Sequence, residues 1–272
     1  MENMVKKLAF RVIEILKSPI YKIPVCRIQH MEFLVEHMVI IQANSTTENQ
    51  TITLFDYQKR PVGSISIHSV SQIIDVPPIF NNGEQINIIP TLVLTENADS
   101  KTILHEICHL LSISSYIQSK DYFLYHCFGI CEFSYISRDQ KTESQILSGH
   151  EGVNEILTDY MAWYFMNLLY NEALPFYTGT IRFGKYLATL WRDDVTTETL
   201  VGWYFSGNIT DISRFLLNSR YKNYNFLYVA IYDFRTGAID EKKAALIEEL
   251  YGSVPDSGLT LEETKAERRN KQ

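Results

Sequence analysis

The chain has 272 residues, 46% of them hydrophobic, which is enough apolar material for one sizeable core or for two subdomains. This composition excludes the disordered, collagen-like and small disulfide-stapled classes. With 25 basic against 32 acidic residues, and so a net charge of -7, the chain lacks the basic stripe of proteins that bind nucleic acid or anionic membranes. We therefore expect no nucleic-acid partner and no membrane partner.

The sequence also predicts a soluble, cytoplasmic protein. No run reaches the roughly 18 consecutive apolar residues that a membrane-spanning helix needs. Near the N-terminus, Arg11, Glu14 and Lys17 interrupt the uncharged stretch that a signal peptide would require. The four cysteines are too few and too unevenly placed for a disulfide framework, which favours a reducing compartment.

The first half of the chain predicts a mixture of helices and strands. An amphipathic helix is expected near the N-terminus, because apolar residues recur there at helical spacing. Its buried face comprises Val5, Leu8, Val12 and Leu16. The apolar segment 31–41 is ambiguous between helix and strand. Residues 51–55 and 62–68 alternate between apolar and polar side chains and indicate a β-hairpin.

A second extended run is predicted over residues 86–95, and a helix follows it. Asp99 or Ser100 can cap this helix. Its buried face comprises Ile103, Leu104, Ile107 and Leu111. The extended run, or the hairpin before it, is expected to offer a strand edge to which an extended peptide can pair.

Beyond about residue 152 the periodicity becomes helical. The candidate helices cover residues 153–170, 180–191, 197–205, 209–217, 223–233 and 241–251. The last residues, 253–272, have few apolar side chains and predict a mobile tail. The expected fold class is α+β, with a mixed α/β subdomain over residues 1–150 and a helical subdomain over residues 151–252.

The segment 102–111 carries the clearest chemical signal, the pattern H-E-x-x-H. Two histidines four apart on a helix lie about 40° apart around its axis, so the rings of His105 and His109 project from one face. Two imidazoles on one face of a helix can bind a single zinc ion. Glu106 lies beside the pair, where it can accept a proton from a metal-bound water. The alternative is a helix with two hydrogen-bonded core histidines.

A catalytic zinc ion needs a third protein ligand and an open position for water. Glu155 and Asp159 are four apart on the next strongly predicted helix, so their carboxylates share one face. Glu155 can bind the metal, while Asp159 can accept the free ring N–H of a zinc-binding histidine. The alternative is that both are first-turn acids that complement the helix dipole.

These two motifs, H-E-x-x-H followed by N-E-x-x-[ST]-D, resemble the signature of the gluzincin zinc metallopeptidases, the thermolysin-like branch of the zincin fold. The resemblance implies a zincin-like fold and one zinc ion (Zn²⁺) per chain. Its implied ligands are His105, His109 and Glu155. It further implies that Glu106 is the general base and that Asp159 supports His105.

The resemblance also includes Asn154 and Thr158 and extends over no more than about residues 86–169. The 45 residues between His109 and Glu155 are a longer insert than in the thermolysin type. The chain looks more like the small gluzincin-like domains of bacterial proteins. The implied activity is zinc-dependent hydrolysis of a peptide bond in a peptide or protein substrate.

Such a reaction also needs a donor to the oxyanion, and we rank Tyr177 first because it follows a non-helical Pro-Phe pair. The other candidates are His150, Tyr204, Tyr221 and Tyr224. Two functions compete with the peptidase. One is a non-catalytic zinc-binding module with a regulatory or protein-interaction role. The other is a metal-free helical interaction protein in which the motifs are coincidental.

A weaker pattern surrounds Cys127 and Cys131. It suggests either a second metal site together with His126 or, more simply, buried cysteines on one face of a single strand.

Overall fold

The computed structural model describes most of the first half of the chain and part of the second. The described residues are 1–43, 50–67, 70–76, 79–81, 84–118, 123–129, 131–138, 141–146, 151–171, 196–208 and 211–212. They form a mixed α and β protein. The chain divides into two compact units, one of Met1–Gly149 with Phe205–Gly207 and the other of His150–Tyr204 with Asn208–Gln272.

Three α-helices are described in the first unit. They are α1 (Glu2–Leu16), α2 (Val25–His37) and α3 (Ser100–Ser112), and a short 3-10 helix (Pro19–Tyr21) lies between the first two. The predicted first helix is confirmed, because the four residues of its expected apolar face are buried. The ambiguous segment 31–41 is divided between the end of α2 and the first strand.

The part of the first unit that precedes α3 contains a three-stranded sheet and two hairpins. The strands are β1 (Val39–Ala43), β2 (Gln50–Phe55), β3 (Pro61–Ile67), β4 (Gln72–Ile74), β5 (Ile79–Asn81), β6 (Glu84–Ile86) and β7 (Thr91–Thr95). In the three-stranded sheet, β7 pairs in parallel with β1 and antiparallel with β4. The antiparallel pairing of β2 with β3 confirms the predicted hairpin.

The predicted extended run over residues 86–95 is confirmed for its last five residues, which form β7, but the run is not one continuous strand. Ile86 ends β6, and β7 begins only at Thr91, directly after Pro90. Proline has no N–H to donate to a sheet, so it commonly marks such a break. The strand-edge prediction is wrong for this run, because β7 is paired on both sides. Among the described strands of this sheet, β4 forms one edge.

The β2–β3 hairpin and the three-stranded sheet share one hydrophobic core. Its buried residues are Ala43, Ile52, Leu54, Ile67, Ile74, Ile88 and Val93. Burying such a set supplies most of the favourable free energy of folding, at about 25 cal/mol per Å² of apolar surface. The core thereby fixes the position of β4, which matters for the site described below.

After α3 the chain forms a four-stranded antiparallel sheet, of which the sequence indicated only a single strand around Cys127 and Cys131. Its strands are β8 (Ser114–Gln118), β9 (Phe123–Phe128), β10 (Cys131–Arg138) and β11 (Lys141–Ile146), paired in chain order. Cys127 and Cys131 lie on two different strands of this sheet. The expectation that they share one strand is therefore wrong.

The second unit contains the helix α4 (Glu151–Tyr170) and most of α5 (Thr197–Ser206), which confirm two of the predicted helices. Residues 211–212 are helical. The other predicted helices (180–191, 223–233 and 241–251) and the predicted tail lie outside the described residues. No helix in the described part of the chain is both long enough and apolar enough to cross a membrane.

Candidate metal centre

Helix α3 begins at a well-defined cap. The Asp99 carboxylate accepts hydrogen bonds from the Thr102 backbone N–H at 2.8 Å and from its hydroxyl at 2.7 Å. An N-cap of this kind satisfies one of the unpaired donors of the first turn. The same bonds, the backbone N–H first, lower the pKa of Asp99. Of the two predicted caps, the residue that caps the helix is therefore Asp99.

The two histidines of the motif face each other on α3. The rings of His105 and His109 are 5% and 4% exposed, and their Nε2 atoms are 3.2 Å apart. The ring planes are nearly perpendicular, at 74°. Both rings therefore direct the same nitrogen toward one point beside the helix.

That nitrogen separation fits the donor geometry of a tetrahedral zinc ion. With zinc–nitrogen bonds of about 2.05 Å and a tetrahedral angle between them, two imidazole nitrogens lie about 3.3 Å apart. The observed distance of 3.2 Å between the two Nε2 atoms agrees with this value within the tolerance of about 0.2 Å that metal-site distances show. The same distance also suits a single hydrogen bond from one protonated ring nitrogen to the other. Metal content distinguishes the two arrangements.

Glu106 is buried beside the pair and is held by a strand. It is 8% exposed, and its Oε2 accepts a hydrogen bond from the Ile73 backbone N–H at 2.9 Å. Ile73 is paired in register with Leu92 of β7. In an antiparallel pair, a residue whose N–H is not used toward its partner strand directs it outward. The carboxylate therefore occupies the outer edge of β4.

A buried arginine from α2 holds the other end of α3. Arg27 is 8% exposed and donates to the backbone carbonyls of Leu111, Ile113 and Phe205 at 2.9, 2.5 and 3.0 Å. These carbonyls belong to the C-terminal ends of helices, where unpaired acceptors and a negative dipole favour a cation. The sequence analysis did not identify Arg27. The one feature that could have indicated its role is that a charged residue occupies a buried position of α2.

Ser112 connects the end of α3 to the four-stranded sheet. Its hydroxyl donates to the His109 carbonyl at 2.7 Å and accepts from the Gly129 backbone N–H at 2.7 Å. Gly129 has a φ of 57°, a conformation that glycine adopts without steric cost. The histidine-bearing end of the helix is therefore fixed by a hydroxyl and a tight turn.

The second motif lies in the first turns of α4. Asn154, Thr158 and Asp159 are buried, and Glu155 is half-buried. That Glu155 completes a metal site with His105 and His109 stays a prediction. A group of two imidazoles and one carboxylate is a donor set that suits zinc. The support of His105 by Asp159 stays a prediction.

The candidates for the oxyanion donor fall into two groups. Tyr177, His150, Tyr221 and Tyr224 lie outside the described residues, so their roles stay predictions. Tyr204 is fully buried, and its hydroxyl shares a hydrogen bond of 2.5 Å with the Thr158 hydroxyl. This contact, between α4 and α5, gives Tyr204 a packing role.

Comparison of the chain with protein families, with curated proteins and with solved structures found no match.

Proposed function

We propose that this protein is a zinc-dependent metallopeptidase that hydrolyses a peptide bond with Glu106 as general base. The observation that carries the proposal is the buried histidine pair on α3, whose Nε2 atoms are 3.2 Å apart. A buried carboxylate directly follows the first of these histidines in the chain. Two histidines and a carboxylate in this order on a helix are typical of zinc peptidases.

In this proposal His105, His109 and Glu155 hold one zinc ion, and the chain's other groups orient the reaction. When bound, the zinc ion supplies an acidified water and polarises the carbonyl of the substrate. Glu106 takes a proton from the attacking water and later passes it to the leaving amine. The Ile73 N–H holds the carboxylate of Glu106 in place before the substrate arrives.

Metal content is the first test. The purified wild type should contain about one zinc ion per chain by elemental analysis, and Glu155→Ala should contain clearly less. Glu14→Ala, which changes a carboxylate on the exposed side of α1, is the matched control and should retain the metal. If the wild type holds no zinc even after reconstitution, the proposal fails. Equal zinc in wild type and Glu155→Ala would show that a different residue is the third ligand.

Glu106→Gln then separates a peptidase from a non-catalytic zinc module. Glutamine keeps an oxygen that can accept the Ile73 N–H, but it cannot take up a proton. We expect this variant to bind zinc as the wild type does and to lose hydrolysis of a peptide library by at least about a hundredfold. A zinc-loaded wild type that cleaves no peptide in the library would instead favour the non-catalytic module.

A further inference from the structure

A cavity in the first unit lies apart from the residues of the metal centre. Its volume is about 650 Å³, within the range of small-molecule sites. Its walls come from the start of α1, the junction of α2 with β1, the turn of the β2–β3 hairpin and the segment before β7. None of its lining residues belongs to α3, the helix that carries His105 and His109.

The inner wall of the cavity is apolar, and one side of it is aromatic. Met38, Phe55 and Ile89 contribute to the lining, and Met38 and Ile89 are only 3% exposed. The rings of His37 and Tyr57, both lining residues, are 5.7 Å apart between centroids in an edge-to-face arrangement. Such a surface accepts the face or edge of another aromatic ring.

Four charged side chains line the rim, and two of them neutralise each other. Lys6 forms an ion pair of 2.9 Å with Glu2 and also donates to the Glu36 backbone carbonyl at 3.1 Å. The pKa of Glu2 is lowered chiefly by Lys6 and slightly by Lys59, so Lys59 lies near the same rim. Within the described part of the chain, neither Lys59 nor the Glu36 carboxylate has an ion-pair partner.

Lys59 is held at this rim by an unusual turn. Its φ is 61°, in the left-handed region that residues other than glycine and asparagine seldom adopt. The buried Asp56 fixes the turn by accepting the backbone N–H groups of Gln58 and Arg60 at 2.9 and 2.8 Å. The turn thereby sets the position of Lys59 at the rim of the cavity.

Two groups on the aromatic side add polar specificity. Burial, with a smaller contribution from Asp75, raises the pKa of Tyr57 to about 12, so its hydroxyl stays protonated and can donate. His37 donates its Nδ1–H to the Phe33 carbonyl at 2.8 Å, which leaves Nε2 as an acceptor when the ring is neutral. The cavity thus offers an apolar wall and, among the described residues, one lysine and one glutamate that form no ion pair.

We propose that this cavity binds a small zwitterion with an aromatic side chain, of which a free aromatic amino acid is the simplest. The carboxylate of the ligand pairs with Lys59, its ammonium group pairs with Glu36, and its ring lies against Tyr57 and the apolar wall. This site is separate from the proposed peptidase function, and its binding does not depend on zinc.

Calorimetric titration of the full chain tests the proposal with three ligands that share a phenyl ring. L-Phenylalanine carries both charges, 3-phenylpropionate only the carboxylate and 2-phenylethylamine only the ammonium group. We expect L-phenylalanine to bind to saturation and at least tenfold more tightly than either analogue. Equal binding of L-phenylalanine and 3-phenylpropionate, or no saturable binding of L-phenylalanine, would overturn the proposal.

Charge variants identify the site itself. Lys59→Gln should weaken L-phenylalanine and 3-phenylpropionate at least tenfold and leave 2-phenylethylamine unchanged, whereas Glu36→Gln should do the converse. Lys22→Gln is the matched control, because Lys22 is also an exposed lysine with a left-handed φ of 54° and does not line the cavity. If Lys59→Gln and Lys22→Gln alter the affinity alike, the ligand does not bind here. Glu106→Gln should leave all three titrations unchanged.

Discussion

The hydrogen bond between Glu106 and Ile73 places a carboxylate on the outer edge of a strand. An extended peptide that paired with this edge of β4 would need the same backbone N–H. Substrate and carboxylate would then compete for one donor. Because Glu106 must keep its position to act as general base, the proposed mechanism leaves this N–H to the carboxylate and not to the substrate.

The role of this N–H can be tested with Ile73→Pro, which removes the donor. The N–H is directed away from β7, so proline should leave the pairing of the sheet intact. A hydrogen bond to a charged group contributes about 1.5 to 3 kcal/mol. We expect peptide hydrolysis to fall about tenfold or more while the zinc content stays unchanged.

Ile73→Val keeps the N–H and is the control for the change of side chain. Equal activity of the proline and valine variants would mean that the strand does not position the general base. A loss of zinc in Ile73→Pro would show instead that the substitution disturbs α3.

A second prediction for a single residue concerns Asp99, the N-cap of α3. Asp99→Ala should lower the free energy of unfolding by about 1 kcal/mol, because it removes the N-cap of α3. Asp99→Asn keeps the oxygen acceptor and should cost only a few tenths. Urea unfolding at pH 7 measures both, and a loss in Asp99→Asn as large as in Asp99→Ala would show that the charge, and not the cap, stabilises the helix.

The pH dependence follows from the lowered pKa of Asp99. A carboxyl whose pKa is lower in the folded state stabilises the protein above its unfolded value of 3.8. That contribution disappears as the pH falls through the lower, folded value. The difference between wild type and Asp99→Ala should therefore shrink in urea titrations at pH 3 relative to pH 7. An unchanged difference would contradict the assignment.

At the scale of elements, Arg27 holds together the C-terminal ends of two helices. Replacing it with methionine keeps much of the side-chain volume but leaves three buried backbone carbonyls without their donor. Each unpaired carbonyl costs about 1 kcal/mol or more. We expect Arg27→Met to lower the free energy of unfolding by about 3 kcal/mol in urea or thermal unfolding.

Arg11→Met is the matched control for this change. Arg11 lies on the exposed side of α1, and surface substitutions usually change stability by less than about 0.5 kcal/mol. If the two variants lost the same stability, the three carbonyl contacts would contribute nothing beyond the loss of a charge.

The elements that sequence reasoning found are those with long, clear periodicity, and those it missed are short or polar. Helices α1 and α3 have apolar residues at helical spacing over 15 and 13 residues, and α4 is a stretch of 20 residues rich in apolar side chains. Strand β4 has only three residues, too few for alternation to be recognised. In the sheet from β8 to β11, β8 and β11 carry mostly polar side chains, so an apolar alternation is not evident in them.

For the candidate site, the residue pattern was predictable, whereas its supporting contacts were not. A four-residue spacing on a helix predicts that His105 and His109 face each other, because the period of the helix is fixed. The bonds from Ile73 and Arg27 join residues far apart in sequence, and only the packing of whole elements brings them near α3. No local pattern encodes such contacts.

For the molecule as a whole, metal removal should lower the thermal midpoint. A ligand that binds only the folded state adds about 2.7 kcal/mol at a free concentration of one hundred times its Kd. If zinc is bound as proposed, a strong chelator should lower the midpoint by several degrees. Added zinc should restore it, while His105→Ala should unfold at the same temperature with and without chelator.

An identical midpoint for the wild type with and without chelator, combined with no zinc by elemental analysis, would favour the metal-free interaction protein. Calorimetry of the same samples would show whether the transition remains single. The chain divides into two compact units, and the proposed ligands come from both, so a chelator is expected to affect the unfolding of both units.

The parallel pairing of β1 with β7 also has a consequence for how fast the protein folds. Val39 pairs with Thr91, so a loop of about 50 residues must close before this pairing forms. The chain loses conformational entropy on this closure before the sheet gains any stabilising contact. The meander from β8 to β11 pairs only neighbouring strands and is far more local. We expect the meander to form early in refolding. The histidine helix, which follows β7 directly, should reach its final environment only in the slow phase.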